Sequence, residues 1–263
     1  MPLFLIPIAL VGGIGYTTKK IWDHEKRPLT IGSKSIPQEA LDHPSFEALV
    51  DNYVYVHNAF RNDLTRIIAS CESKGRMDAN IQKDLEEWTL ILDVHSIFED
   101  EVIVVALQTR MKELGISIDE IPQELLGSKD HDSVKDLISK ASQCDDDSER
   151  LDILHQLSQD LETHLEREEA ILVPLLLRCF SLSELRAIGS LIVNPKLDFC
   201  DKETLIKITK WWFSNISITE GWPLLQNFIK AGKQSPLPLE KWKEIQDLAP
   251  SLQKFPTEDL VKT

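Results

Sequence analysis

Four of the seven histidines in this 263-residue chain fall on the apolar stripe of a helical pattern. A titratable side chain is out of place there unless something satisfies it. The four are His57, His95, His131 and His164, and two of them have a carboxylate four residues on: Glu99 after His95, and Glu168 after His164. A step of four turns a helix by about 400°. Each pair therefore differs by only ~40° around the axis and ~6 Å along it, close enough to reach one metal ion or two adjacent ones.

A lone histidine on an apolar face is ordinarily a hydrogen-bonded core residue. One in each of four successive helical patterns, two with a partner glutamate, is a different situation. Burying six unsatisfied polar groups would cost on the order of several kcal/mol, comparable with the whole stability of a domain. Binding a cation offsets that cost. The other histidines act as a control: His155 lies nine residues before His164, ~180° away on the helix, and His24 and His43 fall in a proline-bearing stretch. Imidazoles with carboxylates and no thiolate suit iron, manganese or zinc. Four histidines and two glutamates exceed the needs of one tetrahedral zinc, so two octahedral-leaning ions bridged by carboxylates fit best. Neither HExxH nor ExxH occurs, which removes the metalloprotease and ferritin-like signatures.

Four periodic stretches must position these groups. The first spans about 45–73, with Phe46, Leu49, Tyr53, His57, Phe60, Leu64 and Ile67 in steps of three and four. The second, about 78–114, carries Ile81, Leu85, Trp88, Leu92, His95, Glu99, Val102 and Ala106. A shorter third, about 130–142, aligns His131, Val134, Ile138 and Ala141. The fourth, about 149–178, aligns Leu154, Leu157, Leu161, His164, Glu168, Ile171 and Leu175. Short connections and the absence of strand-like alternation predict an all-α, up-down-up-down four-helix bundle over 45–180. Residues 1–44 read as an apolar N-terminal segment and connector. Residues 181–263 read as a helical appendage, opened by a Ser181/Glu184 capping box and cored by Trp211, Trp212, Phe213 and Trp222.

The stretches HNAFRNDL at His57, HSIFEDE at His95, DHDSVKDLI at His131 and HLEREEAILVPLL at His164 resemble the four helix signatures of the hemerythrin-like (HHE cation-binding) family. The resemblance covers about half the chain. It implies two non-haem iron ions, with another divalent metal as the alternative. Glu99 and Glu168 would be the bridging carboxylates, and His57, His95, His131 and His164 the terminal ligands. Oxygen-carrying members have an HxxxH pair on the third helix. Here Gly127 and Lys135 stand four residues either side of His131, so the set is more similar to that of iron-cluster repair and iron-sensing members. The oxygen-carrying members also have an aspartate five residues after the last histidine, where this chain has Glu169; Glu168 is preferred as ligand because it stays on the stripe.

The expected function is accordingly binding of iron together with reaction with, or sensing of, oxygen, nitric oxide or iron status. The alternative is a metal-stabilised regulatory module that signals to a protein partner through its C-terminal helices. The ligands do not say whether the site turns over. With 29 Lys plus Arg against 43 Asp plus Glu, the formal charge of −14 excludes nucleic acid as the main partner, because phosphate binding needs a basic field. Cys71, Cys144, Cys179 and Cys200 form no CxxC pair and read as free thiols of a cytoplasmic protein. Residues 3–16 are apolar but shorter than the ~20 residues a membrane span needs. A packed segment, a membrane contact and a targeting role all remain open for them.

Overall fold

The computed structural model describes residues 35–126, 129–190, 202–217, 220–221 and 224, and among these there are helices and turns but no strand. In chain order the α-helices are α1 (Gln38–Leu41), α2 (Val56–Lys74), α3 (Ala79–Phe98), α4 (Val104–Leu114), α5 (Lys129–Gln143), α6 (Asp147–Arg167), α7 (Val173–Cys179), α8 (Leu182–Ser190) and α9 (Lys202–Asn215). The apolar segment at 3–16, Cys200 and Trp222 lie outside the described residues.

Three joints in this series are π-helical turns rather than loops. Val50–Tyr55 leads into α2, Glu99–Ile103 joins α3 to α4, and Glu168–Leu172 joins α6 to α7. Each joint keeps the rod continuous but winds in extra backbone, which advances the register. The effect on the stripes is visible. Beyond Glu99 the buried residues are Ile103, Val104, Leu107 and Met111, and the expected Val102 and Ala106 move to the flank. Beyond Glu168, Leu172 and Leu176 are buried in place of Ile171. The expected stripes hold from Phe46 to Ile67, across the first joint, and from Ile81 to Glu99, ahead of the second.

The rods end where local chemistry ends them. Gly75 (φ 63°) and Gly115 (φ 68°) adopt the left-handed conformation that closes α2 and α4. The Asp78 carboxylate accepts from the Asn80 and Ile81 amides to cap α3, and Asp146 accepts from the Glu149 amide to cap α6. Ser181 and Glu184 form the expected reciprocal box ahead of α8: the Ser181 amide donates to Glu184 Oε2 at 2.8 Å, and the Glu184 amide donates to Ser181 Oγ at 3.4 Å.

Helix α2 packs against α3 and α6, α5 packs against α6 and α3, and α4 packs against α7. Tyr53, Phe60, Trp88, Leu107, Met111 and Leu154 are fully buried where these rods meet. The connector is not merely a link, since Ile36 and, in α1, Ala40 join the same core. Helix α9 lies on α2, with Trp211, Trp212 and Phe213 buried as the sequence predicts. The Trp211 indole N–H donates to the buried Asp63 carboxylate at 2.6 Å, and its ring meets Phe60 at 4.8 Å. Cys71, Cys144 and Cys179 are free thiols. No described helix is long and apolar enough to cross a membrane.

Candidate metal centre

All six residues singled out in the sequence converge. His57 sits in the first turn of α2, His95 in the last turn of α3, His131 near the start of α5, and His164 in the last turn of α6. Glu99 and Glu168 are each the first residue of a π turn. None is more than 8% exposed. Their potential ligand atoms form two overlapping groups, His57–His95–Glu99–Glu168 and Glu99–His131–His164–Glu168, each with all its ligand atoms within 4.8 Å of one another. Both glutamates belong to both groups, so the arrangement is two neighbouring pockets with a shared carboxylate wall.

The separations are those of ligands facing a common space. His164 Nε2 is 2.9 Å from Glu168 Oε1, and His57 Nε2 is 3.5 Å from Glu168 Oε2. His95 Nε2 lies 3.5 Å from Glu99 Oε2, and His131 Nε2 lies 3.8 Å from the same oxygen. The rings stand edge-on in pairs: His57 to His95 with centroids 5.4 Å apart, His131 to His164 at 4.5 Å.

Whether this donor set suits a cation is tested by its unmet bonding. His57 Nε2, His95 Nε2, His131 Nε2, Glu168 Oε2 and both Glu99 oxygens are buried without a hydrogen-bond partner of good geometry. Buried polar atoms are normally paired, and several unpaired ones aimed at one point are costly. A cation would satisfy all of them together. The charge states agree. Burial, with His57 alongside, pushes the His95 imidazole well below its usual range, leaving it neutral with a lone pair to offer. Burial and the neighbouring Glu168 push the Glu99 carboxyl well up. Burial also works against ionised Glu168, but the charge and hydrogen bond of His164 outweigh it and hold that carboxyl far below the carboxylate range.

Around the six lies a support shell with an internal symmetry. The residue after each ligand glutamate is a second carboxylate, and each of these steadies a histidine on another rod. Glu169 Oε1 is 2.9 Å from His57 Nδ1, and Asp100 Oδ2 is 3.1 Å from His131 Nδ1. A carboxylate on Nδ1 fixes the N–H there and leaves Nε2 as the free donor. The fully buried Glu169 is in turn gripped by Arg61 Nη1 at 2.8 Å, whose Nε reaches Glu162 at 2.7 Å. Burial opposes ionisation of Glu169, yet its bonds to His57 and Arg61 hold its carboxyl below the usual range. A cleft of about 230 Å³ between α5 and α6, lined by Ser133, Asp160, Thr163 and Arg167, ends on His164.

The positioning roles of Asp100, Glu169 and Arg61 do not follow from the stripe argument, since these residues flank the stripe. The signal available for two of them is the acidic doublet, Glu99-Asp100 and Glu168-Glu169, repeated at the same place in two helices. His155 is exposed and pairs with Glu72 at 3.2 Å, and the Nδ1 of His43 accepts from the Ser45 amide. Both stay out of the centre, as their positions in the pattern require. Compared with protein-family models, curated proteins and solved structures, the chain shows no match.

Proposed function

We propose that the chain is a hemerythrin-like protein whose four rods form an antiparallel bundle around two non-haem iron ions. His57 and His95 would hold one ion, His131 and His164 the other, with Glu99 and Glu168 bridging them. The observation that carries this reading is the sharing of both glutamates between two four-residue groups, each with ligand atoms within 4.8 Å. One cation would leave half the imidazoles unused. Two cations use every donor and neutralise both carboxylates.

A pair of iron ions held by these residues would supply open coordination positions and exchangeable electrons for a small gas such as oxygen or nitric oxide. The protein's part is to keep the imidazoles aimed, through Glu169 and Asp100 where those reach Nδ1, and to keep the surroundings dry. The buried Tyr53, Phe60 and Trp88 wall the side nearest His57 and His95. Binding of metal must displace the protons shared between histidines and carboxylates, so uptake releases protons.

The test is metal analysis of purified protein together with its near-ultraviolet spectrum. About two irons per chain with carboxylate-bridged charge-transfer bands supports the proposal, and a metal content that stays at one or none under saturating ferrous ion sinks it. A second reading, signalling through the C-terminal helices, draws on one contact chain: Trp211 on Phe60 at 4.8 Å, and Phe60 on His95 at 5.3 Å. Under that reading, iron removal would expose the 202–217 region to protease and no steady-state gas consumption would be seen.

A further inference from the structure

Tyr53 is a polar group at the centre that the six-ligand set does not use. Its side chain is fully buried, its ring stands edge-on to His57 with centroids 5.6 Å apart, and its hydroxyl makes no hydrogen bond of good geometry. It sits four residues before His57 in the π turn Val50–Tyr55, so both side chains emerge on one face, towards the pocket. The charges its hydroxyl feels are those of Glu99 and Glu168. A phenol in a purely apolar role would be more stable as phenylalanine, because a buried hydroxyl without a full partner is a cost. The hydroxyl lies close enough to Glu99 to interact with that carboxyl, but the contact does not have the geometry of a full hydrogen bond and leaves the phenol a donor to offer.

Resting on the two-ion reading, we infer that Tyr53 donates a hydrogen bond to a small ligand bound at the His57–His95 half of the centre, making that half the ligand-taking one. The ligand class is a diatomic or small anion whose bound atom keeps a lone pair, such as oxygen, nitric oxide, hydroxide or azide. The hydroxyl gives direction: a donor on one side of the pocket would select ligands that carry negative charge when bound to iron. The other half ends instead on the polar cleft beside His164, lined by Ser133, Thr163 and Arg167.

The experiment compares wild-type protein with Tyr53→Phe, which keeps the ring and therefore the packing. Iron content is measured first, then melting of the chelator-treated proteins, then azide titration of the oxidised iron-loaded proteins with vibrational spectra in light and heavy water. The expected result has four parts: equal iron content, a metal-free variant that melts no lower than wild type, azide affinity about tenfold weaker, and loss of the solvent-isotope shift of the bound azide. Tenfold corresponds to about 1.4 kcal/mol. Equal iron with unchanged azide affinity overturns this inference and leaves the two-ion reading standing. A metal-free variant that melts well below wild type makes Tyr53 a structural tether to Glu99 and also overturns it. A tyrosinate-to-iron band in the wild type, absent from the variant, makes Tyr53 a direct ligand and overturns it as well. A wild type that takes up no iron overturns both readings.

Discussion

Replacing Glu99 by glutamine should change the stability of the protein in opposite directions with and without metal. In the metal-free state Glu99 and Glu168 carry oxygens in one buried space, within 4.8 Å of each other. Two negative charges at that separation repel by about 3 kcal/mol at an effective dielectric constant of ~20. Glu99 relieves this by keeping its proton: burial and Glu168 raise its carboxyl well above the usual value, while His164 keeps Glu168 ionised. Holding a carboxyl protonated at pH 7, when the unfolded chain would ionise it at ~4.3, costs up to about 3.7 kcal/mol. Glutamine has the shape of the protonated acid and none of that cost. Glu99→Gln should therefore stabilise the metal-free protein at pH 7 by roughly 2–3 kcal/mol, while weakening iron binding by more than about 100-fold. The sign with pH follows. A raised carboxyl binds its proton more tightly when folded than unfolded, so the contribution of Glu99 to metal-free stability rises as pH falls from 7 towards ~4.3, against the loss that His95, held neutral by burial, brings to both proteins below ~6.5. The variant lacks that gain, and the two curves should converge near pH 4–5. Urea denaturation of chelator-treated protein at pH 5 and pH 7, with and without ferrous ion, measures both limbs. A variant no more stable than wild type at pH 7 without metal, or one that keeps its full iron content, would refute the reasoning.

Other perturbations report on the support shell and the frame. Glu169→Gln removes the charge that steadies His57 and partners Arg61, and should lower iron affinity about 10–100-fold with the iron-free fold retained, measured by competition with a chromophoric chelator. Trp211→Phe deletes the 2.6 Å bond to buried Asp63, which keeps only Arg66 at 2.7 Å; about 1–3 kcal/mol of stability should go, read from urea midpoints. Gly75→Ala places a side chain at φ 63° in open space, so the effect is conformational alone, about 1–2 kcal/mol by the same measurement.

The ligands were the most legible part of the chain because their types contradict their positions. A histidine between Tyr53 and Phe60, or between Leu161 and Leu165, announces a polar requirement inside an apolar stripe, and periodicity alone then places it facing inward. The Ser181/Glu184 box was legible as well, because a capping pair acts through its immediate neighbours. What periodicity could not give is the π turn. A regular period run through Glu99 and Glu168 puts Val102, Ala106 and Ile171 inside, and the structure buries Ile103, Leu107 and Leu172. The wound-in residue leaves no compositional mark, because its cause lies at the centre, where the carboxylate must turn towards a partner rod. The supporting roles of Asp100 and Glu169 were hidden for a related reason. Each serves a histidine more than 30 residues away in sequence, and only the packing of α2 on α6 and of α5 on α3 brings the pair together.

That crossing of supports bears on what happens when the metal leaves. Glu169 rides on the α6–α7 rod and clasps a side chain of α2; Asp100 rides on the α3–α4 rod and clasps one of α5. Each carboxylate is thus a rivet between two rods, and neither rivet needs a cation to close. On the two-ion reading, a protein without metal would keep its rods fastened in pairs, with His57 and His131 still oriented, so that loading would be a matter of proton departure and ion arrival rather than refolding.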